Sequence, residues 1–166
     1  MGKIGVLMSV DHNTDMLEKL NLIKGYGFEC CQLSTWDVAL YTSEKAAELK
    51  AASEATGVEI STVWAGWSGP REWNFTGGPA TLGLVPPAFR MIRAEELIRA
   101  GKFAYEAGVK RVATHVGFLP ENMTDPEYSA MLAILRYIIK EYKKLDIDFL
   151  FETGQETPIT MLRYIE

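Results

Sequence analysis

The sequence predicts an α/β fold with parallel strands. Short apolar runs alternate with helical patterns five times along 166 residues. Strict alternation of that kind implies strands joined by right-handed crossovers. The fifth run, 147–152, closes on Glu152 just before a βα turn, where α/β barrels and open sheets place their chemistry. Two architectures satisfy these observations: a five-stranded doubly wound sheet, or the first five units of an eight-fold barrel. The last residues favour the barrel. Pro158 to Glu166 starts a helix with Ile159, Leu162 and Ile165 in phase, then stops without a glycine, proline or polar tail. Five units in 166 residues also scale to the ~250 residues of a full barrel. The expectation is one domain over residues 1–166, a TIM (β/α)8 barrel truncated to about five βα units, with strands six to eight absent.

Each element has a local cause. Ile4 to Val10 is a branched apolar run and reads as the first strand. Asp11-His12-Asn13-Thr14-Asp15 is a polar turn with several candidate caps. Met16, Leu17, Leu20 and Ile23 recur at helical spacing until Gly25 and Gly27 stop the helix. Phe28 to Thr35 is the second strand. Ser43 reads as the cap of a second helix with Ala46, Leu49 and Ala52 on its apolar face, and Gly57 ends it. Val58 to Trp64 is the third strand.

Residues 65–87 then break the rhythm, holding much of the glycine and proline together with Trp67, Trp73 and Phe75. A loop this long in a compact domain is usually functional or disordered, and large aromatics argue against disorder. A pocket-lining role is expected over a packed excursion that binds nothing. Pro86-Pro87 opens a long helix to about Ala107. Gly101 sits inside that helix at a cost of about 1 kcal/mol relative to alanine. Arg111 to Val116 is the fourth strand. Asp125-Pro126 opens the next helix, with Leu132, Leu135, Ile138, Ile139 and Tyr142 on one side and Lys143 and Lys144 suiting its C-terminal dipole. Thr157-Pro158 reads as an N-cap with proline at the first helical position.

Composition removes several functions. A net charge of −5 offers no basic patch for a nucleic-acid partner. No run approaches the ~18 apolar residues that span a bilayer, and Met1-Gly2-Lys3-Ile4 runs almost directly into a strand, leaving no room for a targeting segment. No membrane partner is expected, and the address is the cytoplasm by default. The only cysteines, Cys30 and Cys31, are adjacent, so a disulfide between them would be strained. With two histidines in all, a Cys/His zinc site has almost no material.

The candidate chemistry gathers at strand ends. His115 shares its strand face with Ala113, and Glu152 shares its face with Leu150. On a barrel both ionisable residues would meet at one mouth, where a carboxylate and an imidazole could bind a divalent metal or act as an acid/base pair. A surface carboxylate satisfied by water, and a neutral histidine bonded to backbone, stay open as alternatives. Gln32 lies mid-strand, where an inward amide is costly unless it bonds a ligand or neighbour. Trp36 stands just beyond that strand's end. No Gly-x-Ser-x-Gly elbow is present, and neither glycine pair makes a phosphate motif.

The motifs Glu152-Thr153-Gly154-Gln155-Glu156-Thr157 and His115-Val116-Gly117-Phe118-Leu119-Pro120 resemble the sugar phosphate isomerase/epimerase family, of the xylose isomerase-like TIM barrels that also include endonuclease IV. The loop from Gly66-Trp67-Ser68-Gly69-Pro70 through Trp73-Asn74-Phe75 to Thr81-Leu82-Gly83-Leu84-Val85-Pro86 is similar to a subgroup of those proteins. The resemblance covers essentially the whole chain, as the N-terminal portion of the barrel. It implies a divalent cation (Mn, Mg, Co or Zn) at the C-terminal mouth. Glu152 would be a metal ligand that in the epimerases also moves a proton beside a carbonyl, and His115, the second catalytic candidate, matches a histidine that contacts substrate in some members and metal in the endonuclease branch. Trp64, Trp67, Gln155 and Gln32 would contact a sugar or sugar phosphate. The implied activity is a metal-dependent sugar (phosphate) isomerase or epimerase, incomplete in this chain because the aspartate, histidine and glutamate ligands of later strands lie beyond Glu166. A non-catalytic sugar-binding barrel, and more remotely an endonuclease IV-like phosphodiesterase, are the alternatives. The apolar fifth strand, unpaired at an edge, also suggests a homo-oligomer.

Overall fold

A computed structural model describes residues 2–152 and 154–166. Met1 and Thr153, the latter inside the strand-five motif, lie outside the described residues. The predicted alternation is present: β1 (Gly5–Ser9), α1 (Met16–Gly25), β2 (Cys30–Thr35), α2 (Ser43–Thr56), β3 (Glu59–Ala65), α3 (Gly78–Thr81), α4 (Pro87–Glu106), β4 (Arg111–His115), α5 (Pro126–Lys143), β5 (Asp148–Glu152) and α6 (Pro158–Ile165). A 3-10 turn, Val38–Leu40, follows β2. Observed strand ends fall within one or two residues of those read from the pattern. The second helix is capped one residue earlier than expected. Thr42 is its N-cap, accepting from the Lys45 main-chain N–H, and Ser43 is the first helical residue.

Strand order decides between the two architectures. All strands are parallel and lie in sequence order, β1-β2-β3-β4-β5. A doubly wound sheet reverses direction at a switch point and puts helices on both faces. Sequential right-handed crossovers put every helix on one face, as a barrel wall requires. Burial agrees with this. Met8, Cys31, Leu33, Val63 and Val112 are buried on the helix side, whereas Leu7 on the other side is 64% exposed.

The inner face reads as layers. Leu7, Gln32 and Thr62 are register partners in the lower row. Ser9, Ser34, Trp64, Ala113 and Leu150 make the next. His115 and Glu152 pair at the top. A register shift at Cys31/Gln32 leaves Ser61 without an opposite residue, and its hydroxyl donates to the Cys31 carbonyl at 3.0 Å.

Gly101 has a packing reason. A Cβ there would stand 2.5 Å from the Tyr142 ring, whose hydroxyl donates to the Leu97 carbonyl at 2.6 Å. The glycine lets α4 and α5 approach closely, which offsets its poor helix propensity.

The last helix forms where the pattern places it and turns its in-phase residues outward. Ile159, Leu162 and Ile165 are 54%, 47% and 66% exposed, while Thr160, Met161 and Tyr164 are buried. The helix docks through Tyr164, whose ring lies 4.7 Å from Tyr128 and whose hydroxyl reaches the Pro120 carbonyl. Its most apolar stripe therefore faces outward. Among the described residues, no helix is long and apolar enough to cross a membrane.

Candidate active site

The carboxyl ends of the strands open onto a cavity of about 560 Å³ lined by Leu7, Gln32, Ser34, Trp36, Trp64, Trp73 and Glu152. The sheet supplies Leu7, Gln32, Ser34, Trp64 and Glu152 through the inner-face rows. Trp36 follows β2, and Trp73 descends from the loop between β3 and α3. Its ring geometry is that of an aromatic wall. Trp36 stands edge-on to Trp64 at 4.7 Å, to Trp67 at 5.2 Å and to Trp73 at 6.1 Å. The Arg71 guanidinium lies over Trp36 at 4.5 Å.

Glu152 is tied into this wall. Trp64 Nε1 donates to its Oε2 at 2.7 Å, a charge-assisted bond that fixes the carboxylate on the cavity side. Oε1 has no hydrogen-bond partner among the described residues. Glu152, Trp64 and Gln32 are thus brought together as expected, joined by Ser34, Trp36 and Trp73. Trp36 and Trp73 drew notice in the sequence only as large aromatics at a strand end and in a loop.

Two expected contact residues stand elsewhere. Trp67 is fully buried. Its Nε1 donates to the His115 carbonyl at 3.4 Å, and the Arg93 guanidinium stacks on its ring at 3.9 Å. It supports the wall from behind and does not line the cavity. Gln155 is exposed on the turn after β5 and is not among the lining residues.

Arg93 explains the path of the loop. This α4 residue is fully buried and lies between Trp67 and Phe89, 4.7 Å from the latter. Its Nε donates to the Ser68 carbonyl and its Nη2 to Pro70, both at 2.9 Å; Nη1 donates to Thr81 and Gly83, both at 2.7 Å. One side chain holds both stems of the long loop and so suspends Trp73 between them. Burial lowers the guanidinium pKa to about 10, against the opposing pull of Glu96, so it stays cationic at neutral pH.

His115 is placed beside Glu152 in register, yet it is buried and does not line the cavity. Its Nδ1 accepts from the Gly117 main-chain N–H at 3.1 Å, and Trp73 covers the ring at 4.9 Å. A Cβ at Gly154 would collide with Nε2. A direct catalytic contact from this imidazole is therefore blocked in this arrangement. At the same rim, the His12 ring and main-chain N–H both bond Asp37 Oδ2, linking the ends of β1 and β2.

The described residues by themselves do not fit a divalent cation. Among the described residues, no three His, Cys, Asp or Glu side chains converge on one point. Glu152 offers one uncommitted oxygen, and His115 Nε2 is buried against Gly154; a catalytic cation needs several ligands. Neither cysteine supplies a nucleophile at the rim. Both are free and buried, and burial beside Cys30 pushes the Cys31 thiol up to about 12.

No family model and no curated protein matches the sequence. Solved structures do match. A xylose isomerase domain protein from Planctomyces limnophilus is 25% identical, with a TM-score of 0.87 over 98% of this chain and 57% of that one. A xylose isomerase-like TIM barrel protein from Mycobacterium smegmatis, in complex with magnesium, is 13% identical with a TM-score of 0.69 over 98% and 60%. A D-psicose 3-epimerase, crystallised in the presence of D-fructose, is 11% identical with a TM-score of 0.68 over 99% and 59%. The chain spans less than two thirds of each of these structures. It has the fold of the xylose isomerase-like TIM barrels, and its five parallel strands with their helices are five consecutive βα units of that wall.

Proposed function

We propose that this chain supplies the substrate wall and one proton-transfer carboxylate of a carbohydrate isomerase or epimerase. The observation that carries the reading is Glu152, which lines an aromatic-walled cavity at the strands' carboxyl ends and is held by Trp64 through Oε2 with Oε1 uncommitted among the described residues. A sugar ring presents an apolar C–H face that suits Trp36, Trp64 and Trp73, and hydroxyls that suit Gln32 and Ser34. Glu152 Oε1 would take and return the proton on the carbon next to the sugar carbonyl. Trp73 would shield that exchange from water.

The substrate we favour is a free sugar over a sugar phosphate. Among the described residues the lining holds one carboxylate and no lysine or arginine, and the neighbouring Arg71 guanidinium is stacked on Trp36, so a phosphate would be desolvated beside like charge. The implied metal dependence asks for ligands from further strands, with Glu152 the one contributed here. The 166-residue chain alone is expected to bind manganese or zinc weakly and to show no turnover. A non-catalytic sugar-binding role is the second reading, favoured by the lack of three converging metal ligands among the described residues. The cytoplasm is the proposed location.

Incubating a ketose in D2O with the complete gene product separates the two readings. Deuterium should enter at the carbon next to the carbonyl, with Glu152→Gln slowing entry by about 10²–10⁴-fold. Sugar binding without deuterium entry would leave only the binding role.

A further inference from the structure

Two buried polar atoms at the rim have no hydrogen-bond partner among the described residues: His115 Nε2 and Glu156 Oε1. They flank the same glycine. Glu156 Oε2 accepts from the Gly154 main-chain N–H at 3.0 Å, and the Gly154 Cα faces His115 Nε2 so closely that any Cβ would collide with it.

Their chemistry is complementary. The Gly117 N–H points at His115 Nδ1, so Nδ1 is the acceptor nitrogen and the neutral ring carries its proton on Nε2. His115 is thereby a donor lacking an acceptor, and Glu156 Oε1 is an acceptor lacking a donor. A buried orphan of either kind costs about 1–3 kcal/mol. The other group against the imidazole, Trp73, is a near-perpendicular ring and at most a weak π acceptor.

We propose that Glu156 is a positioning residue: its carboxylate spans the Gly154 N–H through Oε2 and the His115 Nε2–H through Oε1. The second bond latches the turn directly after Glu152 onto β4. His115 then serves as the donor that holds this turn, acting through Glu156 and Gly154 on the placement of Glu152. The inference stands on the geometry of the turn and is independent of the activity proposed above, so its test reads no turnover.

The test is 15N–1H spectroscopy of the full chain with labelled histidine, in which only His12 and His115 give ring signals. In the wild type, His115 should be neutral with its proton on Nε2. Glu156→Gln keeps the shape and one acceptor oxygen, enough for the Gly154 N–H but not for both donors. It should speed exchange of the Nε2 proton with water about tenfold and shift its resonance upfield. A rate change above about threefold supports the latch; a smaller one overturns it. A wild-type ring protonated on Nδ1 overturns it without any variant.

Discussion

The two flanks of the mouth are built to different standards. On the β3–α4 flank, the long loop is held by a buried guanidinium with four carbonyl acceptors and two aromatic rings. On the β5–α6 flank, a cavity of about 580 Å³ lined by apolar side chains, among them Phe149, Leu150, Met161 and Ile165, lies open. Of the outward stripe on α6, Ile165 lines this cavity. The first flank is complete in its own interactions. The second carries apolar surface that no described residue covers, with the orphaned Glu156 Oε1 on its turn and the orphaned His115 Nε2 facing that turn from the end of β4. The half of the site that shapes the aromatic wall is thus tied by more internal bonds, and the half that sets Glu152 is the softer one.

The sharpest way to break this contrast is Arg93→Met. It leaves the four carbonyls without their donor, and we expect a loss of about 3–5 kcal/mol in urea unfolding. An effect below about 1 kcal/mol would show that the loop does not need the clamp. Trp64→Phe keeps most of the ring packing and removes the bond to Glu152. Because that carboxylate is exposed, a loss of only about 1 kcal/mol is expected.

On the soft flank the expected effects are smaller. Leu162→Gln with Ile165→Gln should change stability by no more than about 0.5 kcal/mol, since neither side chain is buried. The same pair should lower self-association by light scattering if the open face is what brings copies together. Unchanged association would point to another surface. The smallest effect concerns acid. Burial pushes Asp37 upward, but the His12 main-chain N–H and ring, with the Ala39 N–H, hold its carboxyl below the ordinary value of 3.8. Its contribution is therefore present above that value and lost as pH falls through the lower folded one. Asp37→Asn should flatten the acid limb of the stability profile; an unchanged limb would show that the His12 link contributes nothing.

What the sequence reveals of this site follows from which forces are local. Periodicity shows five strands and the four crossovers between them, and it puts Glu152 on the face opposite Phe149 and Phe151. It does not distinguish Trp67 from Trp73, because the loop's path depends on Arg93, one of several charged residues in a helical pattern that gives no sign of its burial. The His115 contact was expected from its strand face, yet the ring is covered by a tryptophan 42 residues away in sequence, 73 against 115. For α6, amphipathicity reveals an apolar stripe but not the neighbour it needs, and the helix docks through Tyr164 instead. Thr42 and Ser43 are adjacent hydroxyls, and one residue of backbone geometry chose between them.

The central claim is that the aromatic wall and Glu152 together receive an uncharged sugar. The most direct test follows the four indole N–H signals during titration with D-fructose and, separately, with its phosphate ester. The account expects the Trp64 signal to move with the free sugar, the buried Trp67 signal to stay, and the phosphate ester to act more weakly. A still Trp64 signal, or a stronger response to the phosphate ester, would contradict it.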